Sequence, residues 1–132
     1  VNQGNKVGVI DFTQGEMGSR GTPEQRLQEA KNASDIIGLE VRENLGLPDT
    51  KLESTREYQK QIILQIRKYR PHVCLVGAPS DRHPDHGNGT ELALDAIFYS
   101  FFTTLEPFVE HHNHQFSLLP SHFLHFIPVL PF

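Results

Sequence analysis

Val7-Gly8-Val9-Ile10 is an unbroken apolar run, and after a glycine-rich loop it is followed by Thr22-Pro23-Glu24-Gln25. A run apolar at every position suits a parallel strand, because helices cover such a strand on both faces. The second phrase predicts a helix start: Thr22 fits the N-cap, Pro23 the first helical position, and Gln25 completes a capping box. Leu27, Ala30, Ala33 and Ile37 then recur at helical spacing, and Gly38 suits the left-handed residue that ends a helix. The rest of the chain repeats this alternation. Val41 to Leu47 is apolar mostly at its odd positions, which predicts a strand nearer the sheet edge, stopped by Pro48-Asp49. Ser54 with Glu57 offers a second capping box. Tyr58, Ile62, Ile66 and Tyr69 line one helical face up to Arg70-Pro71, where proline ends the helix. Val73-Cys74-Leu75-Val76 is another buried-strand run, and Gly87 to Phe102 reads as a third helix with Leu92, Ala96 and Tyr99 on one side. Strand and helix in alternation predict an α/β fold with a mostly parallel sheet. Beyond Pro107 the prolines and histidines spoil any period, and only a short strand at Phe123–Ile127 is suggested.

The 132 residues suffice for one domain and one core, so residues 1–132 are read as a single unit without repeats or linkers. Apolar residues make up 37% and include nine Phe, which excludes a disordered chain. No run approaches the roughly 18 apolar residues of a membrane span, and no signal peptide opens the chain. The net charge is −4 and no basic run exceeds Arg67-Lys68-Tyr69-Arg70, which argues against nucleic acid as a partner. The single cysteine, Cys74, allows no internal disulfide and suits a cytoplasmic location. The chain opens at Val1 rather than Met and ends in the apolar Phe126–Phe132, so it is read as a piece of something longer.

In an open parallel sheet the ligand crevice lies beyond the carboxyl ends of the strands. The polar chemistry of this chain is concentrated in the three segments predicted there: Asp11 to Gly21, Pro48 to Glu53, and Ala78 to His86. The last contains Ser80-Asp81-Arg82-His83-Pro84-Asp85-His86-Gly87, two histidines at i and i+3 with a carboxylate between them. Neutral imidazole is a good zinc ligand, and a histidine off the metal can hold a transition-state oxygen or move a proton. A solvated loop whose histidines cap the next helix would carry the same letters. In Gln14–Gly21, Glu16 suits ligand hydroxyls and Arg20 suits a carboxylate, although the two could equally pair at the surface. The spacing of those glycines fits neither a dinucleotide nor a Walker fingerprint. His111-His112-Asn113-His114 contains no carboxylate and reads as an exposed loop, while Cys74 reads as inert core. Two glycosylation sequons, at Asn32 and Asn88, fall in predicted helices and are discounted.

Taken in order, Gly15-Glu16-Met17-Gly18-Ser19-Arg20-Gly21-Thr22-Pro23-Glu24, Arg42-Glu43-Asn44-Leu45, Leu47-Pro48-Asp49, Thr55-Arg56-Glu57 and Ala78 to Gly87 resemble the LmbE-like (PIG-L type) zinc-dependent N-acetylglucosamine deacetylases. The nearest likeness is to the branch that acts on N-acetylglucosaminyl-malate in bacillithiol biosynthesis. It runs from Val7 to about Ser100, and Pro120 to Ile127 is similar to a later strand of the family. The resemblance implies a Rossmann-like three-layer fold and a zinc ion as cofactor. It implies His86 as a zinc ligand, His83 as the group that stabilises or protonates the tetrahedral intermediate, and Asp85 as the residue that tunes His83. Glu16, Arg20, Asp49 and Arg82 match positions lining the amino sugar and its anionic substituent. The family's first strand and its alanine–histidine–proline–aspartate–aspartate phrase have no counterpart here. The resemblance therefore implies that two zinc ligands and the general base are missing, that the chain is inactive alone, and that backbone beside Val7–Ile10 and Val73–Val76 is left unpaired.

A small amino-sugar substrate follows from this reading, and a homo-oligomer is compatible with it. Two rivals remain at this level: a metal-free α/β ligand-binding or interaction module, and a nucleotide-binding α/β domain, which the absent glycine fingerprint disfavours.

Overall fold

A computed structural model describes residues 4–102 and the backbone of residues 124–127. The elements are β1 (Lys6–Asp11), α1 (Pro23–Ile37), β2 (Val41–Asn44), α2 (Arg56–Tyr69), β3 (Val73–Cys74), α3 (Pro84–Ser100) and β4 (Leu124–Ile127). All four strands pair in parallel, in the order β2-β1-β4-β3. The expected α/β architecture is therefore present, with β2 at the edge as its half-apolar pattern predicts.

Side chains alternate across a strand, and β1 uses both faces. Ile10, and Phe12 just past the strand, join a core with Ile62 and Ile63 of α2 and Leu92, Ala93 and Ala96 of α3. Leu47 and Leu52, from the loop after β2, close that core from the carboxyl end. Burying each of these large aliphatic side chains contributes roughly 1.5–3 kcal/mol. On the other face, Asp11 meets Arg42 of β2, whose Nη1 donates to the Ala30 carbonyl of α1 at 3.1 Å. Helices thus cover both faces. Among the described residues no helix is long and apolar enough to cross a membrane.

Helix α1 is bounded as expected, with the Thr22–Gln25 capping box and Gly38 left-handed at φ 75°. Its apolar face is not core, however. Leu27 and Ile37 are exposed, and only small residues such as Ala30 and Ala33 turn inward. Polar anchorage through Arg42 replaces apolar packing there. The N-cap of α2 is Thr55 rather than Ser54, because Ser54 Oγ donates to Asp95 Oδ2 of α3 at 2.6 Å. Strand β3 is only two residues long, and Val73 and Leu75 are exposed, because β3 lies at the outer edge of the sheet. Helix α3 begins at Pro84, three residues before the predicted start. The backbone expected to be unpaired beside Val7–Ile10 and Val73–Val76 is paired at Val7–Val9 and Val73–Cys74, since β4 lies between β1 and β3. The segment His111–His114 lies outside the described residues.

Candidate active site

The loops that leave the carboxyl ends of β1, β2 and β3 converge on one cleft. The first loop is held close to the sheet. Leu47 N donates to the Phe12 carbonyl at 2.8 Å, and Asn44 Nδ2 donates to the Thr13 carbonyl at 2.8 Å. Gly18 N then turns back to the Gly15 carbonyl at 3.0 Å. Gly18 has a steric reason to lack a side chain: a Cβ would collide with the guanidinium of Arg26. Arg26 reaches over from the first turns of α1, and its Nη2 donates to the Arg20 carbonyl at 2.8 Å. Thr13, Gly15, Met17, Gly18 and Arg26 form this wall of the cleft.

The second wall is Asp49, Thr50 and Leu52. Leu52 is 1% exposed, and its carbonyl accepts from Asn88 Nδ2 of α3 at 2.9 Å, which pins the loop to the third element of the site. That bond also uses the amide of one discounted sequon. Thr50 has φ 65°, a left-handed conformation rare for a β-branched residue.

The third wall is His83, Asp85 and His86. His83 occupies the N-cap of α3 but its side chain makes no capping bond, so the helix-capping reading of these histidines is not what the structure shows. Asp81 organises the turn instead. Its Oδ1 accepts from His83 N at 2.8 Å and its Oδ2 lies 3.3 Å from His86 Nδ1. The backbone bond from His83, reinforced by His86, holds the Asp81 carboxyl below the usual aspartate range. The rings of His83 and His86 stack with centroids 4.7 Å apart and planes 24° from parallel. Asp85 is 6% exposed, and its Oδ2 is buried without a hydrogen-bond partner. A carboxylate oxygen so placed is a vacant acceptor, costly unless a ligand or neighbouring donor satisfies it.

Of the sequence candidates, Asp49, His83, Asp85 and His86 line the cleft together. Glu16 stands one bond away, accepting from Asp49 N at 2.8 Å rather than pairing with Arg20. Arg20 and Arg82 are exposed and contribute no side chain to the cleft wall. Sequence reading missed Arg26, Thr13, Met17 and Thr50. Arg26 had a signal: a cation so near a helix N-terminus opposes the macrodipole and calls for another reason to be there.

His86 has the geometry of an oriented metal ligand, with a carboxylate on Nδ1 leaving Nε2 for a metal. Among the described residues, however, no three His, Cys, Asp or Glu side chains assemble a metal-holding group. The described side chains fit one ligand and do not complete a centre.

Residues 1–97 match the family model of PIG-L, GlcNAc-PI de-N-acetylase. The chain is 33% identical over 96 residues to a diacetylchitobiose deacetylase of Thermococcus kodakarensis, a match that covers 70% of this chain and 36% of that protein. Among solved structures it is similar to a conserved protein from Thermus thermophilus, TT1542, at TM-score 0.76 and 34% identity, over 99% of this chain and 57% of that one. The fold is also shared with an N,N'-diacetylchitobiose deacetylase from Pyrococcus horikoshii solved with an inhibitor, at TM-score 0.62 and 20% identity, over 72% of this chain and 50% of that one. The chain thus spans between about a third and three-fifths of the relatives it matches.

Proposed function

The chain belongs to the PIG-L family of de-N-acetylases, and on that premise we propose that its cleft holds the acetamido group of an N-acetylglucosaminyl conjugate for hydrolysis. The observation that carries this reading is the meeting of three strand-end loops at a pair of stacked histidines beside a buried carboxylate with a vacant oxygen. In the reaction, water adds to the acetyl carbonyl, the C–N bond breaks, and acetate and the free amine depart with the proton passing to nitrogen. His83 is assigned the developing negative charge on the carbonyl oxygen, to which an imidazole N–H donates most strongly in the transition state. Asp85 is assigned the control of that ring's tautomer and basicity. His86 is assigned to a zinc ion, which supplies Lewis acidity when bound. Its remaining ligands are not among the described side chains, and the roles of His83 and Asp85 are defined without it.

Within this class we favour a conjugate with an anionic substituent, as in N-acetylglucosaminyl-malate of bacillithiol biosynthesis. Arg26 in the cleft wall supports a carboxylate there. Neutral diacetylchitobiose is the competing substrate, since a relative is named for it. A single domain acting in the cytoplasm belongs to the same proposal. A second reading, an amino-sugar-binding module without chemistry, draws support from the incomplete donor set.

The test measures acetate release from both substrates alongside zinc content, in the natural full-length protein. His86→Ala is expected to lose zinc and turnover together. His83→Ala is expected to keep its zinc and lose about 10²–10³ in kcat. Zinc lost from His83→Ala would sink the division of roles. Faster turnover of diacetylchitobiose would overturn the anionic substrate, and sugar binding without acetate release would favour the second reading.

A further inference from the structure

Glu16 and Asp49 stand on different loops, and each carboxylate is bonded to backbone beside the other. Glu16 Oε1 accepts from Asp49 N at 2.8 Å, and Asp49 Oδ2 accepts from Met17 N at 2.9 Å. Asp49 Oδ1 also accepts from Thr50 N at 3.0 Å. The residues gripped in this way, Met17 and Thr50, are themselves cleft wall. Thr50 is also the β-branched residue at φ 65°, a conformation that persists only where its surroundings over-determine it. The bonds made by Asp49 N and Thr50 N hold the chain as it enters that turn.

The geometry points to a reciprocal clasp: Glu16 and Asp49 are positioning residues that set the distance between the first two walls of the cleft. Asp49 also lines the cleft itself, and the clasp couples it to Glu16 on the facing loop. This rests on the reading of the cleft as an amino-sugar site, and deepens it by naming what fixes the site's width. A clasp of this kind behaves as a unit, because cutting either bond frees the same two loops.

The test titrates N-acetylglucosamine into the natural protein and follows amide hydrogen exchange at Met17 and Asp49. The variants are E16A, E16Q, D49A and the double variant E16A/D49A. E16A is expected to weaken binding about tenfold, the range typical of a hydrogen bond to a charged group, and to speed exchange at both amides. E16Q keeps an acceptor oxygen and is expected to restore both, and it keeps the proposal testable should E16A fail to fold. D49A is expected to match E16A, with the double variant no worse than the worse single one. Additive losses in the double variant, or unchanged exchange in E16A, would overturn the clasp. If the unaltered protein does not bind N-acetylglucosamine, the amino-sugar reading fails while exchange alone still decides the clasp.

Discussion

Asp11 and Arg42 show how much a single pair can govern. Asp11 is 7% exposed, and it holds Arg42 in two bonds, Nε to Oδ2 at 2.7 Å and Nη2 to Oδ1 at 3.0 Å. The same guanidinium reaches α1, so one side chain joins β1, β2 and a helix that has no apolar anchorage of its own. Removing one partner of a buried pair leaves the other charge stranded. Asp11→Ala is expected to lower the free energy of unfolding by about 3 kcal/mol, measured in urea, and Arg42→Lys to lose part of that because an ammonium cannot make the fork. A gentler probe is Gly18→Ala. The new methyl pushes away the flexible end of Arg26 and crowds the Gly15 carbonyl, which must give only slightly. Stability should change by under ~1 kcal/mol, while affinity for N-acetylglucosaminyl-malate falls as far as in Arg26→Ala. An affinity unchanged in both variants would remove Arg26 from the substrate site.

At the scale of elements, local signals were legible and long-range ones were not. The Thr22 capping box and the Gly38 stop bound α1 as the letters predict, because both act within a few residues. The apolar face of α2 is likewise real, with Ile62 buried and Tyr58, Ile66 and Tyr69 packed beside it. Ser54 and Thr55 are both good N-cap residues, so the sequence offers two registers. Asp95, far along the chain, decides between them by taking the Ser54 hydroxyl. The same holds at the site. The His83–His86 phrase was legible because its members are neighbours, whereas the turn of Glu16 toward Asp49 depends on how two loops meet. Glu43 of β2 gives this scale its pH dependence. It accepts from the Tyr69 hydroxyl and, at 2.9 Å, from Lys68, both on α2. The Tyr69 bond first, then Lys68, holds its carboxyl below the usual glutamate range. A lowered folded value means that the link is present at neutral pH and is lost as acid takes the carboxyl through that value. Tyr69→Phe should move the Glu43 carboxyl carbon titration upward, toward the ordinary ~4.3, and raise the pH at which acid unfolding begins. An unmoved titration would remove Tyr69 as the cause.

The whole molecule turns on β4. The Phe123–Ile127 letters suggested a strand, and β4 is there, but its place in the sheet was illegible because parallel pairing leaves no local mark. It is an interior strand, pairing Lys6–Val9 on one side and Val73–Cys74 on the other. Deleting residues 124–132 should therefore unpair β1 and β3 together. The expected result is loss of the cooperative thermal transition, with strong binding of a hydrophobic dye, and a deletion variant that melted as the parent does would contradict the strand order. Exposed apolar side chains already on α3 and at its C-cap, Leu94, Phe98 and Phe101, would add to that dye signal.

The strand order also sets a timetable. A ribosome makes β1 well before the strand that sits beside it, so Lys6 must wait for Leu124 to be synthesised. Until then β1 has only β2 to pair with, and β3 has no partner in the sheet. Contacts this distant along the chain make folding slow, because the closure entropy is lost before the contacts reward it. The nascent chain therefore spends that interval with open strand edges, and its dependence on chaperones should be greatest just before Leu124–Ile127 emerge.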